Sequence, residues 1–147
     1  MPRIKLELPE SFPFETELAV RITDINYGGH LGNDSLLVLL HEARSLYFKS
    51  MGFTERDVGG CGVIMTDAEL LFASEAFDGE ILRIAVAAVF EGRTRCELFY
   101  RVTEKTGGRE VARAKTGMAF FDYTARKIVR APDGFRNKVQ PYGPEAD

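Results

Sequence analysis

The residues best suited to chemistry lie in one short run, Thr23 to Asp34 (TDINYGGHLGND), and on the segment that follows it. The run is polar and rich in glycine, so backbone N–H groups from Gly28, Gly29 and Leu31 can approach a ligand closely. It precedes a helical segment, whose N-terminal dipole would favour negative charge on a nearby oxygen. Such a loop suits a carbonyl that becomes an oxyanion as it is attacked. The same glycines also suit a plain tight turn. Asn26 can hold a water or polarise a carbonyl, but its amide cannot act as a general base. His30 can orient Asn26, bind a carbonyl or reach Asp24, or it can simply lock the loop. Asp24 is expected to fix the loop by accepting backbone N–H groups, and Asn33 is placed to support the helix start.

A base is found further on, at Glu42, the carboxylate in the middle of the long helical segment. The alternative for Glu42 is membership of a solvated stripe with His41, Ser45 and Lys49. Glu42 lies nine residues beyond Asn33, or about 13 Å along a helix axis. Reacting atoms approach to about 3 to 3.5 Å, so one carbonyl carbon cannot touch both within one chain. If both act, they come from different copies.

These residues need elements to hold them. Thr16 to Ile22 reads as a strand leading into the loop. Asp34 to Met51 reads as a helix, capped by Asn33 or Asp34 and ended by Gly52. Its apolar residues, Leu36, Leu37, Leu39, Leu40, Ala43, Leu46, Tyr47, Phe48 and Met51, cover roughly 200°, more than a surface helix needs. The spacing predicts a helix wrapped by a sheet, with one polar stripe left over. From Val63 onward the period is two, with strands over Val63 to Ala73, Glu80 to Glu91, Arg93 to Glu104 and Arg109 to Asp122, and a fragment at Lys127 to Arg130. The links Glu91-Gly92 and Lys105 to Gly108 are hairpin-like, so the sheet is antiparallel. Its strands exceed the usual 5 or 6 residues, which favours strong curvature.

An early strand, a central helix and four long antiparallel strands describe an α+β fold, a curved sheet around one helix. That order, with the run RITDINYGGHLGNDSLLVLLHEARSLYFKSMGF, resembles the hotdog-fold thioesterases of the 4-hydroxybenzoyl-CoA thioesterase-like family. The family often reads S/T-D-x-D-x-x-G-H-V-N-N, then E-A-R on the helix. Matching residues are Thr23, Asp24, Gly29, His30, Asn33, Glu42, Ala43 and Arg44. Asn26 stands where many members carry the aspartate that acts on the thioester, and Gly32 replaces the first Asn of the N-N pair.

The resemblance implies hydrolysis of an acyl-CoA to free acid and CoA, in a dimer or tetramer whose subunits share each site. Coenzyme A enters as part of the substrate, and no separate cofactor is expected. The predicted catalytic set is Asn26, His30 and Glu42. Gly28, Gly29 and Leu31 are expected to supply oxyanion amides, with Asp24 and Asn33 in support. Two other readings stand beside it. Hotdog hydratases of enoyl-CoA read D-x-N-P-x-H, and here Asp24, Ile25 and Asn26 fit, while Tyr27 replaces Pro and His30 falls one residue late. With Asn26 in place of aspartate, a module that binds acyl-CoA without turnover is the third.

Composition narrows the classes. The chain has 147 residues, 45% hydrophobic and 28% charged, with a formal charge of −3. These figures suit a single domain over 1–147, with turn-rich tails at 1–14 and 131–147. Scattered Lys and Arg give no footprint for nucleic acid. No apolar run reaches the ~20 residues of a membrane span, and the opening residues lack a signal-peptide pattern. Cys61 and Cys96 are far apart and lack nearby His or Cys partners, so no metal site is expected and a cytoplasmic location is.

Overall fold

A computed structural model describes residues 4–139. Strand β1 (Phe14–Ala19) leads through a 3-10 turn (Ile22–Asp24) and the glycine loop into helix α1 (Asn33–Ser50). Strands β2 (Gly62–Phe72), β3 (Ile81–Glu91), β4 (Arg95–Glu104) and β5 (Glu110–Asp122) follow, then a short β6 (Lys127–Ile128) and helix α2 (Asp133–Val139). All strand pairs are antiparallel, in the order β1-β3-β4-β5-β2, with β6 beside β5. The fold is the α+β hotdog, a long sheet curled around one helix.

Alternation in β4 shows how the sequence builds this. Cys96, Leu98, Tyr100 and Val102 are buried, while Arg95, Glu97, Phe99, Arg101 and Thr103 face outward. The buried row meets Leu36, Leu40, Ala43 and Phe48 of α1 in one core. The opposite face of α1 is not a wholly polar stripe. Leu37 is 37% exposed and Val38 55% exposed, beside exposed His41 and Glu42.

The ends of α1 differ from the sequence expectation in one respect. Its N-cap is Gly32, not Asn33 or Asp34. Both side chains still serve the first turn from inside it: Asn33 Oδ1 accepts from Asp34 N at 2.8 Å, and Asp34 Oδ1 from Ser35 N at 2.9 Å. At the far end Gly52 takes a φ of +89°, the left-handed conformation that stops helices.

One polar cluster is built into the core. Arg44, only 5% exposed, reaches from α1 to Tyr100 Oη on β4 at 3.1 Å, and that hydroxyl meets Thr116 Oγ1 on β5 at 2.7 Å. Arg44 Nε also donates to Glu55 Oε1 at 2.6 Å, and Glu55 Oε2 lies 2.8 Å from His41 Nε2. Burial disfavours a bare guanidinium, but Tyr100 and Glu55 outweigh it and hold Arg44 charged.

Part of the stretch read as a C-terminal tail is instead core. Phe135 of α2 is fully buried, with its ring 5.3 to 6.1 Å from those of Phe48, Phe53, Phe90 and Phe120. The outer positions of both tails, 1–3 and 140–147, lie outside the described residues. Among the described residues no helix is long and apolar enough to cross a membrane.

Candidate active site

The loop between the 3-10 turn and α1 is anchored by Asp24. This carboxylate is 4% exposed and accepts from Arg21 three times, from the backbone N at 2.9 Å, Nε at 3.2 Å and Nη2 at 3.1 Å. Burial pushes its carboxyl up, but the Arg21 guanidinium and backbone N–H outweigh this and hold it below the ordinary value of 3.8. The Asp24 carbonyl also takes the N–H of Gly32 at 3.1 Å, closing the loop at its base.

Above that base the chain folds back on itself. Asn26 N donates to His30 O at 2.9 Å, Gly29 N to Asn26 O at 3.0 Å, and Gly28 N to Asn26 Oδ1 at 2.8 Å. Gly29 sits at a φ of +84°, where a side chain would be strained. Gly28 is needed for closeness: a β-carbon there would lie 3.2 Å from both Asn26 Oδ1 and His30 Nε2.

The three amides expected to form an oxyanion cradle all have acceptors within the protein. The N–H groups of Gly28 and Gly29 are used to close the turn, and that of Leu31 donates to Ala76 O at 2.8 Å. Side chains face the open space instead. A cleft of about 520 Å³ lies between the loop and the segment 72–76, and Asn26, Tyr27, His30, Asn33 and Glu75 are among its lining residues.

Glu75 is the site residue that sequence reasoning missed. It is the Asp or Glu among the residues lining the cleft, and its Oε2 lies 3.4 Å from His30 Nε2. It falls in a turn, Ser74 to Glu80, with no periodicity and no motif. Glu42, by contrast, is not brought to this cleft. It is exposed on α1 and lines a separate depression of about 270 Å³ with Leu18, Ala19, Arg21, Val38 and Leu39. Arg44, two residues on, points into the core and pairs with Glu55.

An amide, an imidazole and a carboxylate around such a cleft can polarise a carbonyl and stabilise charge on it. Among the described residues no group of three or more His, Cys, Asp and Glu side chains is gathered to hold a metal ion.

A family model described as the thioesterase-like superfamily matches residues 20–139. The chain belongs to that superfamily. Solved structures agree on the fold of this thioesterase-like chain. The 1,4-dihydroxy-2-naphthoyl-CoA thioesterase Slr0204 from Synechocystis superposes with a TM-score of 0.80 at 20% identity, covering 88% of this chain and 96% of that one. A Thermus thermophilus thioesterase, solved with coenzyme A and Zn, gives 0.78 at 20% identity over 90% and 96% of the two chains. The Staphylococcus aureus protein SAV2348, solved with CoA, gives 0.79 at 15% identity over 94% and 87%. No curated protein matches the chain.

Proposed function

We propose that this chain hydrolyses acyl-CoA thioesters to a free acid and CoA, at a site shared between two copies. The observation that carries the reading is the polar cleft at the glycine loop of a thioesterase-like fold, with Asn26 and His30 on its wall. The CoA held by two structural relatives supports CoA as the thiol half of the substrate. One copy supplies Asn26 and His30 to hold the thioester, and Glu42 of a second copy takes a proton from water. The water oxygen bonds to the carbonyl carbon, the C–S bond breaks, and the sulfur leaves as thiolate. A thiol with a pKa of roughly 8.5 makes little demand for a general acid.

The shared site is supported by the placement of the two halves. On a single chain, Glu42 and the cleft open onto different depressions, and apolar Leu37 and Val38 lie exposed beside Glu42, where a second copy can cover them. The free cysteines, Cys61 and Cys96, suit a reducing cytoplasm.

Thiol release from a panel of short, long and aromatic acyl-CoAs tests the activity. Complementation tests the sharing. Glu42→Ala and His30→Ala are each expected to be nearly inactive, yet refolding them together in equal amounts restores about a quarter of wild-type activity, because half the dimers then carry one intact site. No recovery on mixing, with both variants folded and dimeric, removes the shared site. A binding-only module is the second reading, favoured by Asn26 in place of the aspartate. Tight acyl-CoA binding by calorimetry with no thiol released would select it.

A further inference from the structure

The cleft has two walls, and they are held by different means. One is the glycine loop. The other includes the turn formed by residues 74–80, from which Ser74, Glu75 and Ala76 line the cleft. The ladder between β2 and β5 ends at Phe72 and Ala112, after which Ala73 N and Ser74 N both donate to one carbonyl, Val111 O, at 2.8 and 3.2 Å. Resting on the reading that the cleft takes a thioester, we infer that Arg109 is a positioning residue for its hydrolysis. Its guanidinium sets the turn against β5, and so sets the wall that the acyl group meets.

Four bonds support this role. Arg109 Nη2 donates to the Glu75 carbonyl at 2.9 Å and to Glu80 Oε1 and Oε2 at 2.9 and 3.2 Å, while Nε donates to Ser74 Oγ at 3.2 Å. One side chain thus joins both ends of the turn. Glu80 passes the hold inward, because its Oε1 also accepts the Phe77 N–H at 2.8 Å and its carbonyl takes the Val20 N–H at 2.8 Å. Ser74 Oγ in turn donates to the Glu110 carbonyl at 2.7 Å. The planar, five-donor fork of arginine can meet a hydroxyl, a carbonyl and a carboxylate together, as the point charge of a lysine cannot.

Arg109 is itself built into place. It follows the β4–β5 turn, where the Glu104 carboxylate accepts the N–H groups of Thr106 and Gly107 at 2.7 and 2.8 Å and Gly108 takes a φ of +74°. Glu104 N donates to Arg109 O at 2.8 Å and closes the hairpin. The turn that Arg109 holds also reaches the glycine loop, since Ala76 O accepts the Leu31 N–H at 2.8 Å and Glu75 Oε2 lies 3.4 Å from His30 Nε2. A shift of the turn therefore moves the wall relative to Asn26 and His30. A wall that touches the acyl group and not the reacting atoms makes the same contacts in ground and transition state, so its loss falls on KM.

Steady-state kinetics and amide exchange on the full chain test this. The probes are acetyl-, hexanoyl-, palmitoyl- and benzoyl-CoA. In Arg109→Gln, KM for the bulkiest of these that wild type hydrolyses rises about tenfold while kcat stays within about twofold, and KM for acetyl-CoA moves less. The Leu31 N–H, whose acceptor rides on the turn, exchanges about tenfold faster, while the Gly32 N–H, bonded to Asp24 O, keeps its wild-type rate. Glu80→Ala removes the carboxylate contact from its other side and moves both readouts the same way. The double variant is no worse than Arg109→Gln alone. Arg109→Lys keeps the charge without the fork and recovers part of the KM. Arg83→Gln, in an exposed pair with Glu17, changes neither readout. A loss of thermal stability with KM and Leu31 exchange unmoved makes Arg109 an ordinary surface ion pair and overturns the role, as does a fall in kcat with KM unchanged. If wild type releases no thiol from any probe, the hydrolase reading fails, while Leu31 exchange in Arg109→Gln and Glu80→Ala still decides whether Arg109 sets the wall.

Discussion

Two polar clusters beside helix α1 have opposite fates. In the loop before the helix Asn26 and His30 line an open cleft. Fourteen residues beyond His30, Arg44 is buried, and its guanidinium is tied to Glu55 and Tyr100, with Thr116 beyond. Glu42 and Arg44, two residues apart, fall on opposite sides of this divide, one exposed and one in the core. The contrast teaches where chemistry can occur. Polar groups with every bond made hold elements together, while those left facing space are available to a substrate.

The strongest way to break the comparison is Arg44→Ala. It leaves Glu55 and the Tyr100 hydroxyl without their cation in a mostly buried setting, so unfolding in urea should show a loss of about 3 kcal/mol. A loss under about 1 kcal/mol would mean that the core cluster is dispensable. Asn26→Ala should do the reverse. Removing one oxyanion donor costs about a hundredfold in kcat, and the change in an open cleft leaves unfolding within about 0.5 kcal/mol of wild type. An Asn26→Ala protein that is fully active but plainly destabilised would merge the two clusters into one structural role.

A smaller effect separates the clusters by acid. Asp24 has a folded pKa below its ordinary value of 3.8, so its stabilisation is fully present above that value and fades as pH falls through the lower folded one. The Arg21 and Asp24 contacts at the base of the loop therefore loosen only in strong acid. Amide exchange at Gly32 should speed up there before exchange in β4 does.

The sequence made the frame legible because burial acts on a strict period. Residues Cys96 to Val102 alternate in and out, and the β2 to β5 boundaries fall within two residues of those expected. The loop was legible as a motif, but the direction of its amides was not, since the turn closed by Asn26 can only be counted in three dimensions. Glu75 was hidden because a carboxylate in an aperiodic turn carries no local signal; it joins the site only when β2 and β5 bring that turn against His30. Phe135 was hidden by Pro132, Asp133 and Gly134, which read as turn formers although they start a helix.

Phe135 also sets a schedule. Its ring meets Phe48, Phe53, Phe90 and Phe120, side chains up to 72 residues apart in the sequence, and fills the space among them. During synthesis, therefore, the helix and the long strands can pair before this ring arrives, but they do so around an unfilled centre. A chain cut before residue 135 leaves that centre unfilled, and limited proteolysis should cleave it faster than the intact chain.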